Sequence, residues 1–113
     1  MTYEKGIKMI TYHTLVTDQA KLDLYNIDEY ISVELLAPHS AQKILGSIER
    51  KINSLRVFPE RGVLYDKEPW HSKGVRVVQV KHYKIVFQID KKARSVTILH
   101  IIYAKRDLDA LMG

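Results

Sequence analysis

At 113 residues with 46% apolar side chains, the chain is long enough for one hydrophobic core and short for two, so residues 1–113 are read as a single domain. No apolar run approaches the roughly 18 residues that span a bilayer, Met1–Gly6 carries no apolar signal segment, and the absence of Cys removes disulfides, thiolate nucleophiles and thiolate metal sites, all in keeping with a cytoplasmic protein away from membranes. The net charge of +5, from 18 Lys and Arg against 13 Asp and Glu, favours a polyanionic partner, either nucleic acid or an acidic protein.

Taken in chain order, residues 1–6 read as a flexible extension, and Ile7 to Leu15 alternates as a half-buried strand does. Thr17 is a suitable helix cap. After it Ala20, Leu24, Ile27, Ile31 and Leu35 recur at helical spacing and draw one apolar stripe. That helix ends before Pro38, whose fixed φ and missing N–H suit the first turn of a second helix with the stripe Ala41, Ile44, Ile48, Ile52 and Leu55. Phe58-Pro59 stops it, and two amphipathic helices so joined predict an antiparallel hairpin. Residues 58–74 hold two Pro and two Gly without a period and read as a long loop. Three strand-like segments follow, Val75–Val80, Tyr83–Ile89 and Ser95–Tyr103, separated by short polar turns as in an antiparallel meander. In the middle one, Tyr83, Ile85, Phe87 and Ile89 are predicted to face the helices, with Lys84, Val86 and Gln88 on the other side. Lys105–Met112 is a short amphipathic tail. The fold class is therefore α+β: an N-terminal strand, a two-helix hairpin, a three-stranded meander forming one sheet, and a helical tail.

This order resembles the RelE/ParE toxin superfamily over nearly the whole chain. The carriers are Ala20-Lys21-Leu22-Asp23-Leu24 with Ile27, Tyr30 and Ile31, then Ile52, Leu55 and Phe58-Pro59-Glu60-Arg61-Gly62, a part that looks more like ParE. Arg76 followed by Val80, Tyr83, Ile85 and Phe87 looks like the family arginine and its central strand, and Val96 to Asp107 like the last strand and its basic exit. The resemblance implies the toxin of a type II toxin-antitoxin system, of the kind also described as plasmid stabilisation proteins. A cognate antitoxin, often with an acidic flexible segment, would wrap and neutralise it. RelE-like members cleave messenger RNA on the ribosome, and ParE-like members act on DNA gyrase. Ribosome-dependent cleavage is the leading expectation, with non-catalytic gyrase inhibition or a degenerate non-toxic member as alternatives.

A metal-independent endoribonuclease must move protons and stabilise charge while a 2′-hydroxyl attacks the adjacent phosphate. Arg76 is the candidate phosphate ligand, because a guanidinium meets two oxygens at once and stays charged; its plainer role is an ion pair at the sheet edge. Tyr103, where many relatives carry His or another polar residue, is a candidate proton donor, with Arg106 and Lys105 adding positive charge. His100 titrates in a useful range but is predicted on the opposite sheet face from Tyr103, unless a bulge brings the two together. Trp70, His71, Lys81 and His82 are candidates for base stacking and phosphate contact, with packing beneath the loop as the alternative for Trp70. No metal or cofactor is expected. The nuclease reading requires Arg76, Lys105 and Arg106 to converge around Tyr103 on sheet surface that the helices leave open.

Overall fold

The computed structural model describes residues 10–113, so the expected extension at 1–6 and the start of the first strand at Ile7 lie outside the described residues. Strand β1 (His13–Val16) leads into helix α1 (Asp18–Glu29), which continues as a π-helical turn (Tyr30–Glu34), and helix α2 (Pro38–Ser54) completes the hairpin. Strands β2 (Val63–Leu64), β3 (Val75–Val80), β4 (Tyr83–Asp90) and β5 (Ser95–Tyr103) follow, and helix α3 (Leu108–Met112) ends the chain. The sheet runs β1-β5-β4-β3-β2. Its meander is antiparallel, whereas β1 joins β5 in parallel. The segment 58–74, expected to be structureless, contributes the two-residue β2 beside β3. Among the described residues no helix is long and apolar enough to cross a membrane.

Local chemistry sets the position of α1. Thr17 is extended, its Oγ1 accepts the Ala20 N–H as an N-cap, and the same hydroxyl donates to Ile98 O at 2.9 Å. One side chain thereby starts the helix and ties that start to β5. Ala20 and Ile31 are buried, and Leu24 and Ile27 pack against the core as the stripe predicts. Leu35 departs from that prediction. In the π turn its N–H reaches back to Tyr30 O at 3.0 Å, and the extra residue per turn takes Leu35 off the buried stripe, leaving it 54% exposed. Leu36 then adopts a left-handed φ of 53° to turn the chain into α2.

Both faces of the sheet are packed. Ile48 and Ile52 of α2 and Leu55 just after it meet Ile85, Phe87 and Ile98 on one face. On the other, Tyr65 and Met112 cover Val75 and Val86, with Trp70 and Leu108 alongside. The second face is therefore largely roofed by the 65–74 segment and α3, rather than left open as the nuclease reading requires. A bulge at Leu99, where Val86 pairs with His100 and Phe87 with Ile98, shifts the phase of β5. Ile98 and Ile101, three apart, both reach the helix-side core for that reason. Gly62 rests directly on Phe87; a Cβ there would lie 2.6 Å from Phe87 Cζ.

Candidate functional site

A cleft of about 780 Å³ lies where the connecting end of the helix hairpin meets the end of the sheet. Tyr30, Ile31 and Leu35 form one wall, Tyr83 and Tyr103 the floor, and Arg106 the mouth. Cross-strand pairing of Tyr83 with Tyr103 sets the two rings edge to face, with centroids 5.9 Å apart. Tyr83 is buried, and burial, with Tyr103 and Tyr30 nearby, pushes its phenol above the usual tyrosine range, so it remains neutral. Tyr30 and Tyr103 are 52% and 47% exposed and present their rings to any ligand. Two backbone bonds close this end: Ala104 N donates to His82 O at 2.7 Å, and Arg106 N to Tyr103 O at 3.0 Å. They bring the β3–β4 turn and the exit of β5 together. Tyr103, Arg106 and His82 thus share one cleft; Lys105 is exposed and stands outside its lining.

Arg76 is elsewhere. It pairs across the sheet with Phe87 midway along β4, whereas Tyr103 pairs with Tyr83, the first residue of that strand. Four residues of strand separate those partners by roughly 13 Å, before the two strand-to-strand steps are counted. Its guanidinium is also engaged, with Nη1 donating to Glu60 O at 3.0 Å and Gly62 O at 2.8 Å. The half-buried Arg76 holds the turn before β2, and the expected convergence on Tyr103 does not occur.

Trp70 and His71 serve the other sheet face. Trp70 Nε1 donates to Met112 O at 3.1 Å, Lys73 Nζ stands 5.3 Å from its ring centroid, and His71 Nδ1 lies 3.0 Å from Tyr65 O. His100 stays apart from Tyr103, because the bulge precedes it and leaves the parity between the two unchanged. Its Nδ1 lies 3.8 Å from Asp23 Oδ2, an oxygen that also accepts the Ile101 N–H at 2.9 Å. Asp23 closes the edge of β5 beyond the reach of β1, and the sequence reading missed that role. The available signal was a carboxylate flanking the buried stripe of α1. Tyr30 and Leu35 were also missed as cleft residues, Leu35 because the π turn takes it off the buried stripe. Lys81 and His82 occupy the β3–β4 turn, Lys81 in a left-handed conformation with φ of 55°. Among the described residues, no three His, Asp or Glu side chains are placed to share a metal ion.

Residues 15–108 match a family model described as the ParE toxin of type II toxin-antitoxin system, parDE. Among solved structures, the fold is similar to one from the chromosomal ParDE system of P. aeruginosa, with a TM-score of 0.68 and 22% identity over 84% of this chain and 98% of that one. It is also similar to a chain of the RelBE2 toxin-antitoxin complex from Mycobacterium tuberculosis, with a TM-score of 0.61 and 23% identity over 87% and 98% of the two chains. The archaeal RelE-RelB complex from Pyrococcus horikoshii gives a TM-score of 0.55 and 12% identity over 86% and 99%. These likenesses bear out the expected fold. No curated protein sequence matches the chain.

Proposed function

This chain belongs to the ParE toxin family of type II toxin-antitoxin systems, and on that premise we propose that it is the toxin of such a pair, restrained by a cognate antitoxin, and that it acts by binding its target rather than by cutting RNA. DNA gyrase is the target that a ParE-like toxin implies, and its place of action is the cytoplasm. The observation that carries the non-catalytic reading is the position of Arg76. Arg76 is the phosphate ligand that cleavage would call for beside Tyr103, and it instead donates to two backbone carbonyls, four residues along β4 from the pairing of Tyr103. The aromatic cleft suits an antitoxin segment. Tyr30, Leu35 and Tyr103 offer apolar surface, and Arg106 at the mouth offers charge to a carboxylate. Toxin-antitoxin complexes among the similar solved structures support the same partner.

A second reading, ribosome-dependent messenger cleavage, is favoured by the meeting of Tyr103, Arg106 and His82 in one cleft. Purified toxin added separately to gyrase with relaxed plasmid and to ribosomes carrying a defined message distinguishes the two. The binding reading expects supercoiling to be blocked and the message to stay intact. Cleaved message with normal supercoiling would reverse that conclusion.

A further inference from the structure

Beside the aromatic cleft a second groove of about 550 Å³ runs between α2 and the β3–β4 turn, and its chemistry is different. Lys43, Arg50, Lys81 and His82 line it, with Ser40 and Ser47 between them, and among the described residues no carboxylate does. Lys43, Ser47 and Arg50 fall on one face of α2 by their i, i+4, i+7 spacing. Arg50 Nη2 donates to Ser47 Oγ at 3.3 Å, and Ser47 Oγ to Lys43 O at 3.1 Å. Gly46 makes room for this, since a Cβ there would lie 3.3 Å from Arg50 Nη1. The opposite wall is held by the turn, where Gln79 Nε2 donates to Lys81 O at 3.2 Å. Helix α2 also starts with no capping side chain and no acid in its first turn, so the positive end of its dipole adds to the same field.

We propose that this groove binds the phosphodiester backbone of a nucleic acid, at a site that adjoins the aromatic cleft and shares Ser40, Ile44 and His82 with it. Clustered cations and the scarcity of apolar anchoring side chains select that ligand over an acidic peptide. Ile44 is the one aliphatic side chain in the lining, so the groove offers little to the apolar residues by which a peptide anchors, whereas the adjoining cleft offers Tyr30, Leu35 and Tyr103. From Lys43 to Arg50 the helix rises roughly 10 Å, about three of the 3.4 Å steps along one DNA strand. The carboxylates Asp18, Asp23, Asp28, Glu29 and Glu34 on α1 and its π turn, and Glu49 on α2, all stand outside this lining. The inference is independent of which target the toxin inhibits.

Fluorescence anisotropy with a short labelled duplex DNA and a single-stranded RNA, over a series of KCl concentrations, tests it. The triple variant Lys43→Gln, Arg50→Gln, Lys81→Asn keeps a residue that tolerates the left-handed turn and removes three cations. It is expected to weaken binding at low salt at least about tenfold and to reduce the slope of log K against log salt by about 2.7 on duplex DNA or about 2.1 on a single strand. A matched variant at the far β4–β5 turn, Lys91→Gln, Lys92→Gln, Arg94→Asn, is expected to change affinity by less than about twofold. The relative affinity of the two arms names the nucleic acid. Equal losses in the two charge variants would reduce the effect to diffuse attraction and overturn the proposal. So would the absence of binding by the unaltered protein at low salt, or a poly-glutamate peptide binding as tightly with the same salt slope.

Discussion

Replacing Arg76 with alanine separates a structural arginine from a phosphate ligand. In the structure its Nη1 donates to Glu60 O and Gly62 O, two carbonyls of the turn that leads into β2. A hydrogen bond from a charged donor contributes about 1.5–3 kcal/mol where fully desolvated. Arg76 is half-buried and water can re-solvate the freed carbonyls, so about 2 kcal/mol for the pair is the reasonable size. For a domain of this length that lowers Tm by about 8 °C. Thermal unfolding followed by circular dichroism measures the shift, and growth arrest and supercoiling inhibition measured well below the lowered Tm give activity per folded molecule. Arg76→Lys keeps one donor and should recover part of the stability. The expected pattern is a clear loss of Tm with function retained in the folded fraction. Unchanged Tm with abolished toxicity would refute the reasoning and restore Arg76 as a group that meets substrate.

Gly62→Ala is expected to cost about 1–3 kcal/mol through overpacking, because the new Cβ would meet the ring of fully buried Phe87 at 2.6 Å; the urea midpoint measures it. Thr17→Ala removes both the cap on Ala20 N and the bond to Ile98 O, and should lower stability by about 1–2 kcal/mol in the same assay. The Tyr65 hydroxyl, hydrogen-bonded to Asp109 and buried, is pushed up to about 12. Its bond stabilises the fold below the unfolded tyrosine pKa near 10 and is lost as pH rises through about 12. An ultraviolet difference titration should show the Tyr65 phenol titrating late alongside Tyr83, and Asp109→Asn should bring only Tyr65 back toward 10. At the acid end, Tyr65 holds the Asp109 carboxyl below its ordinary value, so this contribution is present above pH 3.8 and fades as pH falls further. A C-terminal helix with no change in protection between pH 2 and 5 by hydrogen exchange would contradict that linkage.

Much of the fold is legible in the chain because burial leaves a local signature. The stripes Ala20–Ile31 and Ala41–Leu55, and the alternation Tyr83, Ile85, Phe87, Ile89, each record a face turned to the core. Strand β2 was not legible, since two residues carry no period, and neither was the parallel pairing of β1, which is fixed by a partner about eighty positions away. The site was legible in part: Tyr103, Arg106 and His82 do meet, Arg76 does not, and Tyr30, Leu35 and Asp23 were overlooked.

What the sequence determined by itself is the main helices and strands, most of their buried faces and the family they compose, because each depends on residues within a few turns of one another. Only the tertiary structure decided which cations share a cleft. Strand order, the bulge at Leu99 and the π turn at Tyr30–Glu34 each displace side chains by a residue or by several ångströms. Such displacements leave local periodicity almost untouched, but they determine whether two charged groups lie within contact distance.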